Sequence, residues 1–99
     1  MLGMTNYIPH YTKKKQILAR KEEDLRRLIS SHADDEKLLG AAEIDRDARI
    51  RVLRAQRATI VPKDNAQEAY DRIDARIHKI ESAPIDSILL EFGYTTGEP

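Results

Sequence analysis

The stretch RDARIRVLRAQR (residues 46–57) decides how the fold is interpreted, because it places five arginines among apolar residues within twelve positions. Residues 48–52 alternate apolar and charged side chains, which is the periodicity of a β-strand. The surrounding Ala, Leu, Arg and Gln favour a helix instead, and no turn-forming residue interrupts them before Ile60. We therefore predict a helix over residues 35–59, and its arginines either bind phosphate or surround a contact between helices.

This predicted second helix carries two apolar arcs on roughly opposite sides of a helical wheel. A surface helix of a monomer needs only one apolar stripe. One arc is expected to pack against a neighbouring helix, and the other contacts either a further helix of the same chain or a second chain. The first arc consists of Ala41, Ile44, Ala48, Val52 and Ala55, and the second of Leu39, Ala42, Ile50, Leu53 and Ile60, with Arg46 and Arg57 among them.

The arginines of this helix do not share one face, as a phosphate-binding helix would require. Arg51 points away from the other four, and Ile50 and Leu53 occupy the middle of the arc that those four cover. Arginines in such positions usually lay their methylene groups on apolar surface and pair with acids, which Asp71 and Asp74 could supply. We therefore predict that the arginines surround a helix contact.

Two further long helices and one short helix are predicted around the second. Apolar residues at helical spacing indicate a helix over residues 12–31, and a third helix over 65–82 follows the break at Pro62. A short helix starts at Pro84 and ends at Gly93, a residue typical of helix C-termini. The apolar seam of the third helix repeats at four, three, four and three residues, as in a coiled coil, through Ala66, Tyr70, Ile73, Ile77 and Ile80.

These elements predict an all-α protein, either a three-helix antiparallel bundle or a helical hairpin, with a short fourth C-terminal helix. We divide the chain into an N-terminal arm (residues 1–11), a helical domain (12–93) and a flexible tail (94–99). Apolar residues make up 40% of the chain, and its aromatic residues are four tyrosines and one phenylalanine, so the core is thin. A thin core favours completion of the fold by dimerisation.

The charges cancel over the 99 residues, with 17 basic and 17 acidic side chains, whereas duplex-DNA-binding modules are usually basic. Residues 1–61 carry thirteen Lys or Arg and nine Asp or Glu, and residues 62–99 carry four and eight. The chain has no cysteine, no apolar run long enough to span a membrane, and no secretory signal pattern. We therefore expect a cytoplasmic protein without a membrane partner.

No sequence motif of a known catalytic, nucleotide-binding or metal-binding class is present. Asp74, His78 and Glu81 are spaced to share one side of the third helix, but such a group is usually ordinary surface chemistry. We therefore predict no enzymatic activity, no metal site and no cofactor.

Asp45 borders the first arc of the second helix, and an exposed position is expected for it. If Asp45 is buried instead, it needs a partner, and Arg49 stands one helical turn later. A buried pair of this kind could fix the register of the helix.

The favoured functional hypothesis is a non-enzymatic protein–protein interaction or assembly module that self-associates as a homodimer or binds another helical protein. The alternative is a small nucleic-acid-binding regulator that uses basic residues of the first two helices. The predicted partner-binding surface consists of Leu39, Arg46, Ile50, Leu53, Arg57 and Ile60. The alternative nucleic-acid surface consists of Lys13, Lys14, Lys15, Arg20, Arg49 and Arg54.

Overall fold

The computed structural model describes residues 2–63 and 65–95, and the side chains from residue 9 onward. These residues form four helices and no strand, which confirms the all-α prediction and shows that residues 48–52 are helical. The helices are α1 (Leu2–Ser30), α2 (Asp35–Ala58), α3 (Ala66–Ser82) and α4 (Asp86–Glu91).

Helix α1 begins about ten residues earlier than the sequence pattern predicts. It starts at Leu2 and continues through Pro9, so residues 2–11 extend the helix instead of forming a separate arm. A proline inside a helix removes one backbone hydrogen bond and crowds the preceding turn, but it can bend a helix without ending it. The break predicted before Thr12 is therefore absent.

A tight reversal connects α1 to α2. His32 adopts a positive φ of 59°, and its N–H donates to the Ile29 carbonyl at 3.1 Å. The N–H of Ala33 donates to the Leu28 carbonyl at 3.1 Å, which completes a Schellman motif. Asp34 then caps α2, because its Oδ1 accepts the N–H of Lys37 at 2.9 Å. So short a connection makes α1 and α2 antiparallel neighbours.

Helix α2 lies in the middle of the molecule and contacts each of the other three helices. Within the described residues, no Cα atom of α1 lies within 8 Å of one in α3. The molecule is elongated, with extents of 54 × 23 × 16 Å. Helices α1 and α3 therefore pack on different sides of α2, which explains why α2 has two apolar arcs.

Helix α4 covers the end of α2 that follows the reversal. The buried cluster there joins α1, α2 and α4 and consists of Leu25, Leu38, Ala42, Ile88 and Leu89.

Gly93 ends the segment with a φ of 81°, as predicted for a C-cap glycine. Tyr94 packs against the same cluster, and its hydroxyl donates to Asp35 Oδ1 at 2.5 Å. That bond raises the pKa of Tyr94 above its ordinary value. The tail predicted from residue 94 is thus anchored at its start, and residues 96–99 lie outside the described part.

Candidate functional site

The surface predicted to bind a partner is largely occupied by α3. Ile50 and Leu53 are buried, and Arg57 donates from Nε and Nη2 to the two carboxylate oxygens of Asp74 at 2.9 and 3.2 Å. The Arg57 guanidinium also lies 4.4 Å from the centroid of the Tyr70 ring. The hydrogen bond that Arg57 donates to Asp74 raises the pKa of Arg57. The centre of this surface is therefore not free for a second chain.

The other residues of that surface have separate surroundings. The Ile60 carbonyl accepts the Tyr70 hydroxyl at 3.4 Å, and Leu39 packs against the cluster around Leu38. Arg46 instead lines a cleft that also contacts the start of α4. The predicted residues thus divide between the α2–α3 contact, the core and a cleft.

The arginines of α2 link it to α3 and α4 through acids. Arg54 Nη2 lies 3.5 Å from Glu81 Oε2, and Arg49 Nη1 lies 2.9 Å from Glu91 Oε1. With Arg57–Asp74, these pairs connect the basic first part of the sequence to its acidic second part. The interpretation of the arginines as residues that surround helix contacts is supported by these pairs.

Asp45 is fully buried, so the expectation of an exposed position is wrong. Its Oδ1 accepts the Arg49 Nε–H at 2.6 Å, which is the partner anticipated for a buried Asp45. Its Oδ2 is buried without a hydrogen-bond partner in the described part of the chain. Helix α4 covers this side of α2, and it brings Glu91 to the same arginine.

Burial dominates the electrostatics of this network. Desolvation raises the pKa of Asp45, against the lowering effect of Arg49, and the nearby charges of Glu22 and Glu91 raise it further. Desolvation alone would lower the pKa of Arg49, but its bonds to Glu91 and Asp45 raise it overall. The network therefore links α4 to α2, although the burial of the Asp45 carboxylate costs desolvation free energy.

An open groove runs along the junction of α1 and α2. Its floor contains Ile44, which is 54% exposed although it belongs to the first apolar arc of α2. A shallow extension continues the groove toward the end of α2 and shares Lys14 and Arg51 with it. We define the α1–α2 groove by Lys14, Ile17, Lys21, Ile44, Asp47, Ala48 and Arg51, and its extension by His10, Arg54, Ala55 and Ala58.

Basic side chains surround this apolar floor. Asp47 is the one acid among the lining residues, and its Oδ2 pairs with Arg51 Nε at 2.9 Å. Lys14 and Lys21 have no ion-pair partner among the described residues. The groove therefore presents apolar surface beside uncompensated positive charge.

The structure brings together only two of the six residues of the alternative nucleic-acid surface. Lys14 and Arg54 line the groove and its extension. Arg49 is held in the buried network, and Lys15 lies over the Tyr11 ring at 4.4 Å. The remaining two, Lys13 and Arg20, are exposed and do not line the groove.

Sequence reasoning did not predict that Lys21 lies beside α2, and it did not predict the exposure of Ile44. Both depend on how closely α1 approaches α2, which the small residues Ala48 and Ala55 permit. The available signal was the position of Ile44 at the edge of its arc, next to the charged Asp47 and Arg51.

In the described part of the chain, no three His, Asp or Glu side chains are grouped so that they could hold a metal ion. None of the described helices is both long enough and apolar enough to cross a membrane. No protein-family model, curated protein or solved structure matches the chain.

Proposed function

We propose that this chain is a non-enzymatic interaction module that binds an acidic amphipathic helix of a partner protein in the α1–α2 groove. The observation that carries the proposal is Ile44, a large apolar side chain left 54% exposed among Lys14, Lys21 and Arg51. The cysteine-free composition is in keeping with a reducing compartment, and we place the protein in the cytoplasm.

The geometry of the groove suits a helix more than an extended segment. Two antiparallel helices leave a straight furrow, and an amphipathic helix binds such a furrow through apolar residues spaced three and four apart. Ile17, Ile44 and Ala48 would contact that apolar face. Glu or Asp residues beside the face would then meet Lys14 and Lys21.

The floor of the groove also favours a protein over a nucleic acid. A phosphate backbone needs several cations in line and gains nothing from an exposed isoleucine. The basic residues of α1 do not all lie on the groove side, and the net charge of the chain is zero. Nucleic-acid binding is therefore the alternative that the experiment has to distinguish.

A second copy of the chain is a poorer occupant than a different protein. The residues predicted for self-association are largely covered by α3, and Asp74, Glu81 and Glu91 already pair with arginines of the same chain. Glu68 pairs with Arg72 as well, so four of the eight acids in residues 62–99 already have basic partners in the same chain. We therefore assign the groove to another protein and not to a homodimer.

The test is a fluorescence titration with a labelled amphipathic peptide of about 20 residues, long enough for stable helix formation. The peptide carries leucines on one face and glutamates beside them, and a matched peptide carries lysines in place of the glutamates. We expect saturable binding of the acidic peptide, and Ile44→Ser should weaken it about tenfold because apolar burial is lost.

Leu90→Ser is the matched control, because Leu90 is 55% exposed on α4 and outside the groove. It should leave the affinity unchanged. Equal binding of the two peptides, or equal effects of the two substitutions, would contradict the proposal. Retardation of duplex DNA that Ile44→Ser does not change would favour the nucleic-acid alternative. Light scattering that shows a dimer disrupted by Ile44→Ser would assign the groove to a second copy.

A further inference from the structure

A second cleft lies on another side of α2, between α2, the end of α3 and α4. Its volume is ≈ 270 Å³. The cleft shares no lining residue with the α1–α2 groove. An occupant of this cleft would therefore be a small molecule, and it would not compete directly for the groove.

Three cations line the cleft, and for two of them no described acid lies within ion-pairing distance. Arg46 on α2 and Lys79 on α3 have no ion-pair partner among the described residues. Glu91 is the one acid in the lining, and it already pairs with Arg49. The positive charge available to a ligand therefore comes from Arg46 and Lys79.

Arg49 contributes hydrogen-bond donors in a fixed position. Its side chain is 18% exposed, and its Nε and Nη1 are held by Asp45 and Glu91. No described residue accepts from its Nη2. A guanidinium held in this way can meet an anion without losing further side-chain entropy, as in pre-organised binding sites.

The rest of the lining is mainly apolar. Helix α3 provides Ile80, the connection to α4 provides Ala83 and Pro84, and α4 provides Ile88. Such walls exclude water from an apolar group, while a fully hydrated anion such as free phosphate gains little from them. The lining therefore matches a molecule with one anionic end and an apolar body.

We infer that this cleft binds a small amphipathic carboxylate, with its carboxylate between Arg46 and Lys79 and its apolar body against Ile80, Pro84 and Ile88. Carboxylates form strong charge-assisted hydrogen bonds with guanidinium and ammonium groups. This inference goes beyond the proposed function, because it concerns a small ligand and a separate set of residues.

Octanoate is the probe for the test, and octanamide is its neutral control of the same length. We expect amide resonances of the cleft, such as those of Ser87 and Ile88, to shift saturably with octanoate in ¹⁵N-resolved NMR spectra. Octanamide should bind about tenfold more weakly, because it lacks the charge that Arg46 and Lys79 recognise.

Arg46→Gln and Lys79→Gln should each weaken octanoate binding at least about threefold, a modest effect because each side chain is partly solvated. Arg76→Gln is the matched control, since it removes the same charge from an exposed position of α3 outside the cleft. It should leave octanoate binding unchanged, and thermal unfolding verifies that all three variants fold. Absence of saturable shifts at the cleft, equal affinity for octanamide, or an equal effect of Arg76→Gln would overturn the inference.

Discussion

Asp45 is the residue at which stability and specificity oppose each other most directly. A buried carboxylate with one oxygen lacking a hydrogen-bond partner costs free energy, and pairing with Arg49 only partly offsets that cost. The same arginine reaches Glu91, so the pair also determines where α4 sits on α2. An apolar residue at position 45 would avoid the cost but would leave Arg49 without its anchor.

Replacing Arg49 while Asp45 remains buried should be strongly destabilising near neutral pH. We expect Arg49→Gln to lower the free energy of unfolding by about 3 kcal/mol, as for other buried pairs that lose one partner. This loss of stability should become smaller as the pH falls from about 7 toward about 4, which is close to the ordinary pKa of an aspartate. Urea unfolding at a series of pH values measures this dependence.

The direction of this pH dependence of stability follows from proton uptake by Asp45. Burial raises the pKa of Asp45 above its unfolded-state value of 3.8, so the folded state binds a proton at a pH where the unfolded state does not. Asp45 therefore opposes folding above its folded-state pKa, and its protonation relieves that opposition as the pH falls. Without Arg49 this opposition is larger.

The control for this experiment is the double variant Asp45→Asn with Arg49→Gln, which leaves no buried charge behind. It should be more stable than Arg49→Gln alone near pH 7. If the stability of the single variant were lowered equally at every pH, the ionised Asp45 carboxylate would not be what destabilises the fold.

At the residue scale, the sequence predicts which side chains pair with each other better than it predicts which side chains are buried. Arg49 was identified as the partner of a buried Asp45, since residues four apart on a helix always adjoin. The burial itself depends on how α1 and α4 pack against α2, which no local pattern contains. The positive φ of His32 was equally hidden, because glycine or asparagine is the usual residue at such a position.

At the scale of the element, α2 contains one residue, Gly40, that lowers the stability of the helix without a packing role. Gly40 lies exposed within the helix, and a Cβ at that position would meet nothing within 4 Å. Gly40→Ala should therefore raise the free energy of unfolding by about 0.5–1 kcal/mol, through helix propensity and lower unfolded-state entropy. The corresponding rise in Tm is about 2–8 °C, measured by circular dichroism.

Gly93→Ala provides the opposite case in the same chain. Space is available there too, but the φ of 81° strains any residue with a Cβ, so this substitution should lower the Tm. A lower Tm for Gly40→Ala, or equal effects of the two substitutions, would count against this account of the two glycines.

The positions of the helices could largely be predicted from periodicity and caps. The structure reproduces the predicted start of α2 at residue 35 and the predicted end of the last helix at Gly93, whereas the first helix begins at Leu2 and not at the predicted residue 12. The two apolar arcs of α2 were also recognisable. Their partners were not, because intrachain packing and chain–chain packing require the same residue types.

For the whole molecule, the placement of α1 and α3 on different sides of α2 implies unequal local stability. Helix α2 has seven buried residues, whereas α3 has two, Ala66 and Ile73. Opening α3 therefore exposes less apolar surface than unfolding the α1–α2 hairpin. Hydrogen exchange measured by mass spectrometry should show faster exchange in α3 than in the middle of α2.

Exchange at one rate across both helices would show that the molecule opens as a single cooperative unit. Arg57→Ala gives a further comparison, because it removes the bonds to Asp74 and should accelerate exchange in α3 more than in α1.

The candidate sites belong to this whole-molecule scale, which explains why sequence patterns revealed only parts of them. Lys14 and Arg51 meet in the groove, and Arg46 and Lys79 meet in the cleft, although each pair is more than thirty positions apart in the sequence. Their proximity depends on how the helices are placed in the fold. The charge pattern and the hydrophobic periodicity of the sequence carry little information about that placement.

The central position of α2 also affects how the chain reaches its fold. Helices α1 and α3 each pack on their immediate neighbour in the chain, so little loop-closure entropy is lost when either contact forms. A topology dominated by such short-range contacts folds rapidly. During synthesis the α1–α2 hairpin can assemble before α3 leaves the ribosome, and α4 arrives last to cover Leu25 and Leu38.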